Sequence, residues 1–554
     1  MPVCTDAPRE ADSMDRLDCV VIGYNEGDFG DYQVMCERAG PGTPEYQIMR
    51  SEHLVVDGDA MPWLDAFSRL RNRSTGGTDR YHVGEVFNLA ALYLTSYLRR
   101  QGLRAEPVSL FSGERDRLSA LLSEKPAVIA ITTTFYVNIL PVGPVVELVR
   151  ELSPESHIVV GGPLVDNLLL SGLTPAVEDF FYAMGADSYI QESQGEHSLA
   201  QLCHAVRAGG DLGAVDNLVH CPDDRWVRTR RRPENNDLDH CSIDWTGFSP
   251  ELIGATAQVR TARSCAFKCS FCDYPTRAGA LASASVDTVR TELRALAALG
   301  VRNVVFVDDT FNVPPKRFKQ LCQMMIEEDL GLHWYSYFRC SNARDEESFD
   351  LAARSGCAGV FLGIESGDSD VLANMHKLAQ DSQYRTGIAR LKERSITTFA
   401  SMIVGFPGET EKTVGNTIDF LNETAPDLWR AQAWWANPRS PVYQQKELLG
   451  IEGEGYTWSH FSMSSKEAAN LTDEMFARVT ESVWLPLYDF DFWSLPYLDG
   501  KGVSTPDLIR MLGTTERLIG ARNGGGNARD LAALEQQLAS EVAALSVAPA
   551  RFSF

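Results

Sequence analysis

The chain has 554 residues, 44% hydrophobic and 23% charged, an ordinary globular composition with apolar content enough for two or three cored domains, so disorder is excluded as the default. A formal net charge of -24 leaves no basic face to hold a phosphate backbone, which argues against nucleic acid as a partner, and the one cluster, RTRRRP at 228–233, reads as a solvated linker. No apolar run reaches bilayer length and the opening MPVCTDAPREADSMDR lacks a signal-peptide pattern, so no membrane partner is expected and the expected location is cytoplasmic, where the twelve cysteines stay thiols.

In chain order, the first half alternates short β-rich runs with helical-period segments. DCVVIGYN (18–25), EPVSLFS (106–112), AVIAITTTF (127–135), HIVVGGP (157–163) and ADSYIQES (186–193) are the strands; VGEVFNLAALYLTSYLRRQG (83–102) and VGPVVELVRELS (142–153) are among the helices. This alternation predicts an α/β, doubly wound, Rossmann-like domain over 16–220, whose ligand sits at the carboxyl ends of the strands. Those ends carry Thr132, Thr133, Thr134 and Phe135 in one strand and Gly161, Gly162 and Pro163 in the next, small enough for backbone to approach a large flat ligand. An insertion at 26–81 is too long for a plain loop, which marks it as functional.

A polar linker at 221–256 leads to a second series over 257–440. Its strands are AQVRTARS (257–264), VRNVVFVDD (301–309), HWYSYFRC (333–340), AGVFLGIES (358–366), TTFASMIVGF (397–406) and LWRAQAWWA (428–436), with helices such as VDTVRTELRALAALG and TEKTVGNTIDFLNET between them. Six βα units predict a partial TIM-type (β/α)6 barrel with its site at the C-terminal ends of the strands. The remainder, 441–554, reads as irregular and then helical, with NGGGN (523–527) as a flexible break.

The stretch RSCAFKCSFCDYP follows the first strand of the second series and holds Cys265, Cys269 and Cys272 in a C-x-x-x-C-x-x-C spacing. A structural zinc site needs a fourth Cys or His, and His240, Cys241 and Cys340 are too distant in sequence to serve. Three thiolates suit a [4Fe-4S] cluster with one iron left open to a substrate. The spacing, with Phe271 just before the third cysteine, resembles the signature of the radical S-adenosylmethionine (SAM) enzymes. That resemblance implies that the open iron holds the amino and carboxylate groups of SAM, and that an electron from the cluster cleaves it to a 5′-deoxyadenosyl radical.

Other stretches resemble the same family in order. VFVDDTFN (305–312), with Asp308 and Asp309, looks like the segment beside the amino group of SAM; GIESG (363–367) offers Glu365 and Ser366 for the ribose; IVGFPGET (403–410), with Gly405, is similar to the glycine motif against the adenine. Arg339 in YSYFRC ends the third barrel strand, where a guanidinium can pair with the methionyl carboxylate. Ahead of such a barrel, a sheet with ITTTF, VVGGP and ADSYIQESQGEHSL resembles the cobalamin-binding subfamily. That implies a corrin cradled by Thr132 to Phe135, Gly161 to Pro163, and Gln191 and Glu192. D-x-H-x-x-G is absent, and DRYHVGE (79–85) has the wrong spacing, so no histidine is implied under the cobalt and His82 reads as an ordinary surface or core residue. A nucleotide-binding or purely structural doubly wound domain is the competing reading.

At finer grain VVIGYNEGDF, the long insertion and YHVGEVFNLAALYL look like actinobacterial natural-product methyltransferases, a group with phosphinate P-methyltransferases and aminocoumarin pyrrole C-methyltransferases. The implied reaction is methylation of an unactivated carbon, or of a phosphinate phosphorus, of a small natural-product intermediate, using methylcobalamin and the 5′-deoxyadenosyl radical, with an electron donor such as flavodoxin or ferredoxin. Trp434 and Trp435 read as cavity lining or barrel core, with core favoured for one of the two. Two alternatives stay open: a cobalamin-dependent cyclase, rearrangement enzyme or oxidase that transfers no methyl, and a non-catalytic cobalamin or iron–sulfur regulator, which the acidic balance disfavours.

Overall fold

The computed structural model describes residues 16–136, 138–343, 345–486 and 493–554. They divide into two compact units, one of residues up to Gly27 with Phe87–Gly247, the other of Asp28–Val86 with Phe248–Phe554.

The first unit is built on strands β1 (Cys19–Tyr24), β2 (Ala105–Leu110), β3 (Val128–Thr132), β4 (His157–Gly161), β5 (Ser188–Ile190), β6 (Leu218–His220) and β7 (Val227–Arg228). Their order across the sheet is β7-β6-β5-β4-β3-β1-β2, with β1 to β5 parallel and β6 and β7 added antiparallel. Helices cover both faces, which is why the strands read as unbroken apolar runs: every residue from Cys19 to Ile22 and from Val128 to Ile131 is buried. The strand order reverses between β1 and β3, so the expected ligand crevice lies over those two carboxyl ends. The 228–233 cluster is exposed and irregular past Arg228, as a solvated segment should be, and its arginines also reach acids of the first unit. Arg230 and Arg232 pair with the buried Asp216 at 2.9 and 3.8 Å, and Arg231 stands 3.6 Å from Glu192. Isolated basic residues in sequence carry no sign of the acids they meet once the chain folds back.

The second unit holds a seven-stranded sheet in sequence order, β8 (Thr256–Val259), β9 (Asn303–Phe306), β10 (His333–Tyr337), β11 (Cys357–Glu365), β12 (Thr397–Val404), β13 (Leu428–Ala433) and the short β14 (Val483–Trp484), all parallel. The six strands predicted from the sequence are present, with β14 added at the edge. Residues at alternate positions on neighbouring strands, Val305, Tyr335, Phe361, Phe399 and Leu428, meet in one core beneath the mouth of the sheet. Residues 28–86 pack in this unit, although chain order attaches 26–81 to the first sheet: Leu54, Trp63 and Phe67 join the same core, and Glu52 forms a buried ion pair with Arg430 of β13. Beyond β13 come a small antiparallel sheet (452–464) and helices Ser465–Arg478, Ser494–Gly500, Thr505–Asn523 and Ala528–Ala543. NGGGN is a hydrogen-bonded turn between the last two helices, in which the N–H of Gly526 donates to Ala521 O at 2.6 Å.

Candidate functional site

The cysteine loop leaves β8 at the C-terminal end of the barrel sheet. Its root is fixed by Asp308, which follows β9 and accepts hydrogen bonds from the N–H groups of Thr261 (2.6 Å) and Ala262 (2.9 Å) and from the Thr261 hydroxyl. Burial raises the Asp308 carboxyl above its ordinary value against those donors. All its oxygens face this anchor, so Asp308 holds the loop in place. Further along, Ser270 donates N–H to Met375 O (2.9 Å) and Oγ to Asn374 O (3.1 Å), Val442 donates N–H to Ser270 O (2.8 Å), and Cys272 donates N–H to Cys269 O (3.1 Å). The loop is therefore held from three sides.

Cys269 is buried, while Cys265 and Cys272 are half-buried; the Cys265 thiol lies 3.6 Å from Thr310 Oγ1. Desolvation, with Asp273, Cys269 and Asp309 adding to it, pushes the Cys272 thiol up to about 11. Among the described residues no three His, Cys, Asp or Glu side chains converge as ligands of one metal ion. Three cysteines on one loop are the donor set of a four-iron cluster, in which each thiolate takes a different iron.

Arg339 follows β10 and is buried. Its guanidinium carbon lies 3.6 Å from the Phe267 ring centroid, Nη1 is 3.9 Å from Cys269 Sγ, Nε donates to Ser341 Oγ at 3.0 Å, and Nη2 is buried without a hydrogen-bond partner among the described residues. An orphaned donor beside a thiol fits an anion that the chain itself does not supply. Glu365 ends β11 at a register shift with a left-handed backbone (φ 71), a conformation rare for a non-glycine residue. Its Oε1 accepts from Lys377 Nζ at 2.8 Å, and that ammonium lies 5.4 Å from the centroid of Phe271, inside the cysteine loop. Burial lowers the Lys377 ammonium, but Glu365, with Tyr384 and Cys269, outweighs it and leaves the group above its ordinary value.

Asp309 is accessible to solvent, with neighbouring protein on enough sides to desolvate its carboxyl. Desolvation, helped by Asp308, raises its carboxyl to about 7 against the opposing pull of Arg260 and Arg277. Ser366 is turned away: it is fully buried, lies 3.3 Å from Thr417 Oγ1 and accepts from the N–H of Asp368. Gly405 has φ 91, and a Cβ there would stand 2.5 Å from Trp458, so the packing of Trp458 accounts for this glycine. Behind it Trp458 stacks on His460 with Trp434 edge-on to Trp458, and Glu409, pushed up to about 8 by burial, accepts from the Gly405 N–H. Trp434 is core, and Trp435 is 52% exposed against Tyr456.

In the first unit Thr132 donates Oγ1–H to Gly23 O (2.8 Å) and Thr133 to Gly161 O (2.9 Å), so both hydroxyls knit the sheet while Thr134 is exposed and Phe135 half-buried. Gly162 (φ 108) has Thr133 where a Cβ would point, and Gly161 and Pro163 are half-buried. Gln191 accepts from Arg228, and Glu192, buried and raised by desolvation, faces Arg231. At these strand ends Phe135 packs edge-on against Tyr24, and the side chains of Gln191 and Glu192 are engaged by the arginine cluster. His82 belongs to the second unit, where Nδ1 accepts the Gly84 N–H at 2.9 Å. Sequence reasoning missed Lys377 and Tyr384; NMHKLAQ carries no motif, and only the buried position of its lysine gives it meaning.

Residues 259–421 match the Radical SAM superfamily. The chain is similar to the anaerobic magnesium-protoporphyrin IX monomethyl ester cyclase of Rubrivivax gelatinosus, 26% identical over 369 residues, or 63% of this chain and 62% of the relative. It shares its fold with the radical SAM methyltransferase TsrM from Kitasatospora setae, solved with cobalamin and a [4Fe-4S] cluster (19% identity, TM-score 0.55, covering 66% of this chain and 76% of that one). The cobalamin-dependent SAM radical enzyme OxsB, solved with aqua-cobalamin, is alike over 83% of this chain and 82% of its own, with 14% identity and a TM-score of 0.56. The chain spans less than two thirds of the length of the curated relatives it matches.

Proposed function

We propose that this chain is a cobalamin-dependent radical SAM methyltransferase that methylates an unactivated carbon, or a phosphinate phosphorus, of a small natural-product intermediate. The cofactor set is a [4Fe-4S] cluster, SAM and cobalamin. One observation carries the reading: three thiols stand on one loop at the barrel mouth, and beside Cys269 lies Arg339, whose buried Nη2 has no hydrogen-bond partner among the described residues. When bound, the cluster supplies the electron that cleaves SAM and the corrin supplies the methyl group.

The chain's own residues supply position. Cys265, Cys269 and Cys272 ligate the cluster. Asp308 keeps their loop rooted, Arg339 Nη2 is the donor for the methionyl carboxylate of SAM, and Glu365 accepts from its ribose. Asp309, with its carboxyl near 7, lies within electrostatic reach of Tyr274, Tyr337 and Cys272 and can hold or release a proton beside the amino group of SAM. Thr134, Phe135 and Gly161 to Pro163 form the floor for the corrin. The fold shared with TsrM supports the methyltransferase reading, and the relative named as a cyclase supports a second one, in which both cofactors serve a ring closure without methyl transfer. Anaerobic incubation of the reconstituted protein with methyl-labelled SAM and candidate intermediates separates them. Label in the product supports transfer; a product lighter by two hydrogens and unlabelled overturns it.

A further inference from the structure

The segment Asn374–Leu378 inverts the usual partition of side chains. Lys377 is 6% exposed and its neighbour Leu378 is 78% exposed, so the chain buries an ammonium and leaves an isobutyl group in water. It does so through backbone that non-glycine residues rarely adopt: His376 (φ 49) and Leu378 (φ 52), on either side of Lys377, are both left-handed, as is Glu365 (φ 71). Three such residues therefore converge on one buried ion pair. Strain of that kind persists only where the surroundings over-determine it, and it clusters at ligand sites. The surroundings here are the cysteine loop, since Asn374 O and Met375 O accept from Ser270, and Lys377 Nζ lies over Phe271.

The ion pair uses only half of the carboxylate. Oε1 of Glu365 accepts from Lys377, and Oε2 makes no hydrogen bond among the described residues. A Cβ added at Gly363 would stand 2.7 Å from Glu365 Oε1 and 3.5 Å from Lys377 Nζ, so the strand is bare where the pair lies against it. Across the pair, Tyr384 donates its hydroxyl to Gly363 O at 3.4 Å.

We infer that Lys377 is a positioning residue: its ammonium fixes Glu365 by one oxygen, leaves the other for a vicinal diol, and ties that acceptor to the cysteine loop so that nucleoside and cluster keep one distance. This rests on the reading above, in which Glu365 faces the ribose of SAM. A purely structural ion pair would need neither the strained carboxylate nor the connection to the loop.

The test is equilibrium binding of SAM to the full, cluster-loaded chain as wild type, Lys377→Arg, Lys377→Met, Glu365→Gln and the double variant Lys377→Met/Glu365→Gln, with iron and sulfide assayed in each. Lys377→Met should weaken SAM about 10- to 100-fold, the range for residues that orient a ligand's direct partners, with iron at the wild-type level. Lys377→Arg should recover most of the loss. The double variant should bind no worse than Glu365→Gln alone, because Lys377 acts through that carboxylate. Unchanged affinity in Lys377→Met, or losses that add in the double variant, would overturn the inference. Should Lys377→Met fold poorly, Lys377→Arg in the Glu365→Gln background decides: any further loss there counts against it. A wild type that takes up iron but binds no SAM defeats the functional reading itself, an outcome distinct from either.

Discussion

The buried Glu409 carboxylate, 1% exposed, bonds the Gly405 N–H and is raised to about 8 in the folded chain by desolvation. In the unfolded chain it titrates near the ordinary 4.5. Between those values the folded state holds a proton that the unfolded state has released, so stability is greatest below the lower value and falls as pH rises through the upper one. Glu409→Gln keeps the acceptor and removes the proton. Denaturant titrations from pH 5 to 8 should show a flatter stability profile in the variant than in the wild type; parallel profiles would contradict the assignment. At the three cysteines the expectation is simpler. With Cys265, Cys269 and Cys272 all changed to Ala, anaerobically reconstituted protein should lose its iron and sulfide, and retention of the wild-type content would rule out that loop as the cluster site. The cysteine spacing was readable because ligands on one loop are local in sequence. The Asp308 anchor was not: an acid at a strand end looks alike whether it faces a ligand or, as here, the N–H groups of Thr261 and Ala262.

The strands were legible element by element because parallel sheets bury both faces and print continuous apolar runs; β1, β3, β4, β9, β10, β12 and β13 fall inside the predicted segments, and β11 starts one residue before its own. What escaped was the pairing of distant elements. Helix Pro44–Glu52 follows β1 closely in the chain, yet Gln47 donates to Asp473 at 2.9 Å and Glu52 pairs with Arg430, both far along the sequence. No periodicity encodes such partners. The turn after β12 gives a second case, since GFPGET reads as a ligand turn while Trp458 occupies the face of Gly405. Gly405→Ala should therefore destabilise the second unit, by about 1–3 kcal/mol for overpacking and about 1–2 kcal/mol for the left-handed backbone. Chemical denaturation checks this; a variant as stable as wild type would mean that Trp458 moves freely aside.

For the whole molecule, the cobalamin reading predicts a corrin with no imidazole beneath the cobalt. The loops 133–141 and 162–174 contain no histidine, and His82 lies in the other unit, bonded to the Gly84 N–H. Paramagnetic resonance of the Co(II) protein should lack nitrogen coupling from imidazole, and coupling that disappears in His82→Ala would contradict this. The central claim is a division of labour in which one SAM gives its methyl group and a second gives a radical. The most direct measurement is the product ratio under anaerobic turnover, corrected for uncoupled cleavage. Each methylated product should appear with one S-adenosylhomocysteine and one 5′-deoxyadenosine, and Cys272→Ala should abolish 5′-deoxyadenosine and product together while cobalamin still binds. Methylated product without 5′-deoxyadenosine, or 5′-deoxyadenosine with product but no S-adenosylhomocysteine, would contradict it.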